Sequence, residues 1–260
     1  MTIPIYQVDA FAEARFAGNP AAVCPLETWL PDEVMQRIAA ENNLSETAFF
    51  VRNTEEGYDL RWFTPAYEVD LCGHATLGSA YVISTYLDSE AERIVFRTRS
   101  GRLVVIRDGE RLTMDFPAKP PRPVEREAEV TAALGFAPQA VLAASKMMAV
   151  LESEAQVLAA APDLQAVAVW PEDGLIVTAP GATCDFVSRY FAPAAGIPED
   201  PVTGSAHCVL TPYWAERLGK SELTARQVSE RGGALDCALA GDRVLISGRV
   251  VPYLEGIIHV

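Results

Sequence analysis

Short runs of alternating or continuous apolar residues dominate the chain and predict strands in two series. The first series covers residues 4–11, 47–52, 58–63, 93–97, 103–108 and 111–116. The second covers residues 141–151, 166–170, 174–180, 184–191, 223–230, 235–239 and 243–251. Asp108-Gly109 separates two of these runs and predicts a hairpin turn.

Four segments have helical periodicity, at residues 31–42, 75–87, 127–134 and 205–218. The first begins with proline and acidic residues, and the last stops at Gly219, as helix ends commonly do. Residues 117–123 contain four prolines, which suit a linker better than a sheet interior or a helix. We therefore expect an N-terminal domain over 1–116 and a C-terminal domain over 124–260. A return of the C-terminal strand to the first domain is left open.

The two halves also resemble each other in one stretch. Arg-Trp-Phe-Thr-Pro-Ala at 61–66 precedes Asp-Leu-Cys-Gly-His-Ala at 70–75, and Arg-Tyr-Phe-Ala-Pro-Ala at 189–194 precedes Asp-Pro-Val-Thr-Gly-Ser at 200–205. A long apolar helix follows in each half. This repetition of strand, aspartate, glycine and helix predicts an internal duplication.

Composition narrows the classes of function. The net charge of −14 disfavours nucleic acid and anionic membrane surfaces as partners. The five cysteines form no C-x-x-C pair and the three histidines show no metal-ligand spacing, so we expect no disulfide framework and no metal. No secretory signal or membrane-spanning run is present in the sequence, which predicts a cytoplasmic protein.

The two glycine-containing turns are candidate anion sites. Small residues at a helix start leave the first N–H groups uncovered, and the helix dipole adds partial positive charge there. Two such turns, with the N–H groups of Gly73, His74, Gly204 and Ser205, could hold a carboxylate or an enolate-like intermediate. Tight packing is the simpler explanation for either glycine alone.

Four titratable residues lie near these turns or among apolar neighbours. A carboxyl group buried among apolar side chains becomes a competent base near neutral pH, and Glu46 has such neighbours, although a strand-end carboxylate is the simpler alternative. Asp200 could carry a proton or cap a helix, and His74 could relay protons or belong to the core. Cys72 near a helix start could have a lowered pKa, which keeps a thiol mechanism open.

Together these motifs resemble the phenazine-biosynthesis PhzF-like family. The matching segments are Gln-Val-Asp-Ala-Phe at 7–11, Phe-Ala-Gly-Asn-Pro-Ala at 16–21, Ser-Glu-Thr-Ala-Phe at 45–49, Asp-Leu-Cys-Gly-His-Ala-Thr at 70–76 and Asp-Pro-Val-Thr-Gly-Ser-Ala at 200–206. They occur in the family's order and span most of the chain.

The resemblance implies an α+β fold like that of diaminopimelate epimerases and proline racemases. Two similar barrel-like domains, each a curved sheet around a central helix, would form a cleft active site. It implies isomerisation of a small carboxylate-bearing substrate by a glutamate-mediated proton shift, without a cofactor, and it favours a homodimer. The implied catalytic residues are Glu46, His74 and Asp200. The implied substrate-binding residues are Gly18, Asn19, Gly73, Ala75, Thr76, Gly204 and Ser205.

Two departures from related patterns matter. Racemases of this fold use one cysteine from each half, whereas here the first turn has Cys72 but residues 200–203 of the second turn contain no cysteine. Residues 231–237 also differ from a Gly-Arg-Pro-Ser motif that is common in the family. We therefore do not infer that this chain acts on the substrate of the phenazine pathway. The alternatives are an epimerase acting through Cys72 with a carboxylate partner, and a non-catalytic binding protein on the same fold.

Overall fold

The computed structural model describes residues 1–53 and 57–260 of the 260-residue chain. The strands of the first part are β1 (Thr2–Ala10), β2 (Asn19–Leu26), β3 (Glu46–Asn53), β4 (Gly57–Phe63), β5 (Glu68–Val69), β6 (Arg93–Thr98), β7 (Gly101–Asp108), β8 (Arg111–Pro117) and β9 (Arg122–Pro123). Those that follow are β10 (Ala140–Ala143), β11 (Met147–Val150), β12 (Leu175–Pro180), β13 (Phe186–Ala192), β14 (Ile197–Asp200), β15 (Glu222–Gln227), β16 (Gly233–Ala240), β17 (Arg243–Gly248) and β18 (Val250–His259). The α-helices are α1 (Asp32–Asn42), α2 (Gly73–Val82), α3 (Glu127–Leu134), α4 (Glu154–Ala159), α5 (Leu164–Val167) and α6 (Gly204–Leu218).

Contacts along the chain define two compact units. One comprises Met1–Asp115 with Ser247–Val260, and the other comprises Phe116–Ile246. No helix in the described part of the chain is both long and apolar enough to cross a membrane.

The first unit is a mixed sheet that packs on α2. Strand β1 pairs antiparallel with β18 and β2, β2 pairs parallel with β3, and the ladder continues through β4 and β6 to β7 and β8. Helix α2 contacts β1, β2 and β3, and eight of its ten residues are buried. The helix lies close to the sheet because Gly78 has no side chain: a Cβ there would come within 2.8 Å of Val8 Cγ2. Helix α1 packs on β3 and β4 through a separate apolar cluster that includes Met35, Ile38 and Phe49.

The second unit repeats this plan with α6 as its long buried helix. Its ladder runs from β9 through β10, β11 and β12 to β13, which pairs with both β14 and β15, and β15 pairs with β16. Helix α6 packs on β15 and β16, and its Trp214 stacks on Phe186 of β13 with ring centroids 5.8 Å apart. Helices α3, α4 and α5 cover β10, β12 and β13 around a core that includes Val130, Val157 and Trp170.

Most predicted elements are confirmed within a few residues. The four predicted helices correspond to α1, α2, α3 and α6, with α2 ending in a π-helical turn at Ile83–Leu87. The hairpin turn at Asp108-Gly109 is confirmed, since Asp108 pairs with Arg111 and Gly109 has a φ of 58°.

Three strand predictions in the second half are wrong. Residues 243–251 are divided between β17 and β18, which are separated at Arg249. Residues 141–151 form a hairpin of β10 and β11, because the polar Ser145-Lys146 turn interrupts the apolar run. Residues 166–170 were expected in a strand but include the end of α5, because the Asp163 side chain accepts hydrogen bonds from the N–H groups of Gln165 and Ala166 and starts a helix.

The compact units also divide the chain at places other than the predicted domain bounds. Residues 247–260 belong to the first unit, because β18 pairs with β1 from Thr2 to Ala10. The proline-rich segment 117–123 does not avoid the sheet: Pro123 and Arg122 pair with Leu142 and Ala143 in a short ladder. Whether either unit folds as an independent domain stays a prediction.

Leu77 on α2 is fully buried, so shortening its side chain tests the packing of this helix in the first unit. Leu77→Ala is expected to lower the free energy of unfolding by about 2–5 kcal/mol, because the fully buried side chain leaves a cavity. Urea unfolding followed by circular dichroism measures the change. Leu158→Ala is the control, since Leu158 is 55% exposed on α4 and its loss should change the value by less than about 0.5 kcal/mol. Equal losses in the two variants would contradict the packing of α2.

Candidate active site

Glu46, Cys72 and His74 meet at one place in the first unit. Glu46 is the first residue of β3, Cys72 is the extended residue before α2, and His74 is the second residue of that helix. His74 Nε2 lies 3.0 Å from Glu46 Oε2, and Cys72 Sγ lies 3.5 Å from His74 Nδ1. The structure thus places two of the three predicted catalytic residues in direct contact, with a thiol beside them.

The contact between Glu46 and His74 is a close ion pair rather than a linear hydrogen bond. Glu46 Oε2 is buried, and no donor within the described residues is aligned on it in hydrogen-bond geometry, although Nε2 is near. The Glu46 side chain retains 13% exposure, which must lie on atoms other than the buried Oε2. One carboxylate oxygen therefore faces His74, while other atoms of the side chain retain some access to solvent.

Burial and charge act in opposite directions on His74. Burial alone lowers its pKa, but the contacts with Cys72 and Glu46 together outweigh burial and raise the pKa of His74 well above its ordinary value. Burial raises the pKa of the Cys72 thiol to about 11, and the Glu46 charge adds to that shift while His74 opposes it. Near pH 7 the thiol is neutral, so the carboxylate is the anion beside an imidazolium. The expected lowering of the thiol pKa at the helix start is wrong, because burial outweighs the dipole.

Four other predicted substrate-binding residues of this unit are buried or needed for the local backbone conformation. Thr76 is fully buried and its hydroxyl donates to the Cys72 carbonyl at 2.6 Å, and Ala75 is fully buried too. Gly18 has a φ of 72°, and a Cβ there would lie 2.3 Å from the Ala10 carbonyl oxygen, so the turn before β2 requires glycine. Asn19 is buried at the start of β2. A substrate contact by these four residues stays a prediction.

Asp200 lies in the second unit and belongs to a network at the start of α6. Its Oδ2 accepts a hydrogen bond from Thr203 Oγ1 at 2.6 Å. The Thr203 N–H donates to Gln227 Oε1 at 2.8 Å, and Gln227 Nε2 donates to the Asp200 carbonyl at 2.7 Å. His207 Nδ1 is 2.8 Å from the Thr203 carbonyl, which can only accept, so Nδ1 carries the proton. These contacts position the residues just before Gly204 and Ser205.

An arginine–glutamate pair precedes the buried helix in each unit. Arg61 donates through Nε and Nη2 to the two carboxylate oxygens of Glu68, both at 2.7 Å. Arg189 does the same to Glu199 at 2.7 and 2.8 Å. The guanidinium carbons lie 5.2 Å from the Phe63 ring centroid in one unit and 4.9 Å from that of Phe191 in the other. This repetition supports the predicted duplication.

The strand registers correct the predicted alignment of the two repeats. Trp62 of the first Arg-Trp-Phe segment pairs with Val69, and Tyr190 of the second segment pairs with Asp200. Asp200 therefore corresponds to Val69, and Asp70 is not its counterpart. The residues before the two helices, Cys72 and Thr203, correspond to each other.

Sequence reasoning missed two buried polar residues in the second unit. Gln227 is fully buried and bonds both Asp200 and Thr203, but a single glutamine at a strand end gives no signal in the sequence. Lys146 is buried, and burial lowers its pKa despite the opposing charge of Asp173. Its Nζ lies 4.9 Å from the Tyr190 ring centroid. The polar Ser145-Lys146 break in an apolar run was a signal for it.

The effect of the Glu46 carboxylate on the pKa of His74 should be measurable. Glu46→Gln is expected to lower the pKa of His74, because burial then acts without the opposing carboxylate. Since the folded pKa is raised, protonation of His74 stabilises the fold below about pH 6.5, and this contribution is lost as pH rises through the folded pKa. Imidazole ¹⁵N shifts in NMR titrations report the change. His207 is the internal control, since burial lowers its pKa to about 4 in both proteins. An unaltered His74 titration in the variant would refute the pairing.

Comparisons with known proteins agree with this architecture. The phenazine biosynthesis-like family PhzC-PhzF matches residues 8–256. Two Pseudomonas aeruginosa proteins, both named uncharacterized isomerases, are 54% identical over 257 residues, covering 98% of each chain, and 51% identical over 259 residues, covering 100% of each. A crystal structure of a PhzF-family phenazine biosynthesis protein from Enterococcus faecalis has a TM-score of 0.97 at 46% identity and covers 100% of both chains.

More distant structures bear on the fold alone. A hydroxyproline epimerase from Agrobacterium vitis has a TM-score of 0.56 at 10% identity, covering 99% of this chain and 92% of its own. The expected α+β fold of the epimerase and racemase type is thereby confirmed. The chain belongs to the phenazine biosynthesis-like PhzC-PhzF family of isomerase-like enzymes.

Proposed function

We propose that the protein isomerises a small carboxylate-bearing substrate by moving a proton between its carbon atoms, with Glu46 as the base. The ion pair of Glu46 with His74 at 3.0 Å carries this proposal. A carboxylate beside an imidazolium is ionised, as a base must be, and the Glu46 side chain keeps 13% exposure, through which a substrate C–H group is proposed to approach it.

In the proposed reaction Glu46 accepts the proton and the C–H electron pair passes into the substrate as an enolate-like anion. The protonated Glu46 then returns the proton to a different carbon, so that no atom is gained or lost. The imidazolium of His74 stabilises the carboxylate before and after each transfer. The start of α2, with the N–H groups of Gly73 and His74, would stabilise the negative charge that develops on the substrate.

The roles of Asp200, Gly204 and Ser205 remain part of the proposal. Ser205 is exposed at the second position of α6. Gly204 is buried, but a Cβ added there would meet no heavy atom within 4 Å, so there is space beside it. Asp200 is proposed to act in proton delivery, with its orientation set by Thr203 and Gln227. Catalysis without a cofactor and a homodimeric state are proposals that rest on the family resemblance, whereas a cytoplasmic location is a prediction from the sequence.

Deuterium exchange tests the role of Glu46. A panel of small carboxylic acids is incubated with the wild-type protein in ²H₂O, and at least one of them should exchange a C–H hydrogen for deuterium. The panel includes a dihydro-hydroxyanthranilate, the substrate type of the resembled phenazine-biosynthesis family, as a comparison. Glu46→Gln should lower the exchange rate by about 10²–10⁴-fold, because the amide cannot accept the proton. Glu41→Gln on α1 is the matched control, since Glu41 is exposed and should not alter exchange. Full exchange in Glu46→Gln would sink the assignment.

An epimerase acting through Cys72 is the second candidate, favoured by the 3.5 Å contact of its sulfur with His74. The raised thiol pKa argues against it, as does the threonine at the corresponding position of α6. Cys72→Ala should therefore lower exchange far less than Glu46→Gln does, as measured in the same assay. A loss of exchange as large as that in Glu46→Gln would assign the role of the base to the Cys72 thiol.

A further inference from the structure

The side-chain amide of Gln227, at the end of β15, is held in one orientation by the backbone before α6. The side chain is fully buried. The Thr203 N–H, which can only donate, lies 2.8 Å from Gln227 Oε1. The Asp200 carbonyl, which can only accept, lies 2.7 Å from Gln227 Nε2. Each contact by itself identifies which end of the amide is oxygen and which is nitrogen, and the two agree.

The orientation of this amide determines where the hydroxyl hydrogen of Thr203 lies. Gln227 Nε2 is 3.1 Å from Thr203 Oγ1 and must donate to it, because an amide nitrogen has two hydrogens and accepts none. The single hydroxyl hydrogen of Thr203 is therefore directed to its other partner, Asp200 Oδ2, at 2.6 Å. That distance is typical of a hydroxyl group that donates to an ionised carboxylate.

These hydrogen bonds form a chain with one direction, from Gln227 through Thr203 to Asp200. His207 Nδ1 donates to the Thr203 carbonyl at 2.8 Å and holds the same residue from the helix side. Thr203 occupies the position before α6 that Cys72 occupies before α2. Because its hydroxyl hydrogen is donated to Asp200, Thr203 does not present an acidic hydrogen to a substrate, and the carboxylate is the proton-transferring group of this turn.

We propose that Gln227 is a positioning residue that acts through Thr203 to hold Asp200 as an oriented carboxylate before α6. Asp200 then enters the reaction ready to accept a proton, and it becomes an acid only after it has received one. The proton that it takes up is the proton that it passes on, so its charge is restored in each turnover. The effect on rate rests on the proposed function, whereas the direction of the hydrogen bonds does not.

Other charged and titratable groups also act on Asp200. Lys146 Nζ lies 4.9 Å from the centre of the Tyr190 ring, and both side chains interact electrostatically with the Asp200 carboxylate. The neighbouring Glu199 is paired with Arg189. All four groups stay in place when the hydrogen-bonded residues are replaced, so a difference between variants isolates the hydrogen bonds.

Carbon-detected NMR titration of the full chain tests the hydrogen bonds without any substrate. Thr203→Val should raise the titration midpoint of the Asp200 carboxyl by about one to two pH units, because a hydrogen bond to a charged group is lost. Thr203→Ser keeps the hydroxyl and should leave the midpoint unchanged. Gln227→Met should raise it by a smaller amount, since the hydroxyl is no longer held toward Asp200. Gln139→Met is the matched control, because Gln139 is exposed.

The pH dependence of C–H exchange then tests the role in the proposed reaction. In Thr203→Val and Gln227→Met the acid limb of the profile should move to higher pH by the same amount as the carboxyl midpoint. The rate should recover above that limb. A role in packing alone would lower the rate at every pH, and it would affect Thr203→Ser, which loses a methyl group, at least as much as the isosteric Thr203→Val.

The outcomes distinguish the network from the reaction. Circular dichroism first confirms that each variant is folded, and the Asp200 signal is identified by its absence in Asp200→Asn. Unchanged Asp200 midpoints in Thr203→Val and Gln227→Met would overturn the inference. A shifted midpoint with an unshifted exchange profile would keep the hydrogen-bond direction and overturn the role of Gln227 in the reaction. Full exchange in Glu46→Gln would refute the proposed function alone, because the NMR titration does not depend on it.

Discussion

A bidentate ion pair between an arginine and a glutamate positions the turn before each buried helix. Planar guanidinium and carboxylate groups hold both the distance and the orientation of the two strands that carry them. Arg61 also reaches Asp32 at the start of α1, whereas Arg189 donates to the carbonyl groups of Val157, Leu158 and Ala160 at the end of α4. Each arginine thus connects its own strand to the turn before the buried helix and to a neighbouring helix. Arg61 contacts the start of α1, whereas Arg189 contacts the end of α4.

That shared scaffold supports different chemistry in the two units. At the residue before the buried helix the first unit has Cys72 and the second has Thr203. The first cluster contains a carboxylate, an imidazole and a neutral thiol, while the second is a network of neutral groups with Asp200. A duplicated backbone therefore does not imply duplicated acid–base groups, and a mechanism with two equivalent thiols has no support in this chain.

The two buried histidines, His74 and His207, have different protonation states because their neighbours differ. Both are buried, and burial disfavours the charged ring in each. The contacts with Cys72 and Glu46 reverse this effect at His74, whereas the His207 ring is neutral and donates a hydrogen bond to the Thr203 carbonyl. His207 therefore belongs to the structure of the helix start, and His74 belongs to the candidate active site.

The sequence by itself determined the local elements and the order of the motifs. Apolar periodicity located α1, α2, α3 and α6, and the glycine turns singled out His74, Gly204 and Ser205, because these signals depend on neighbouring residues. Only the tertiary structure decided which distant residues meet. Pairing of strands that are far apart in the chain produces three such contacts. They are the ion pair of Glu46 with His74, the hydrogen bond between Thr203 and Gln227, and the pairing of β18 with β1. The raised pKa of Cys72 belongs to the same class, since burial is a property of the assembled core and no local pattern encodes it.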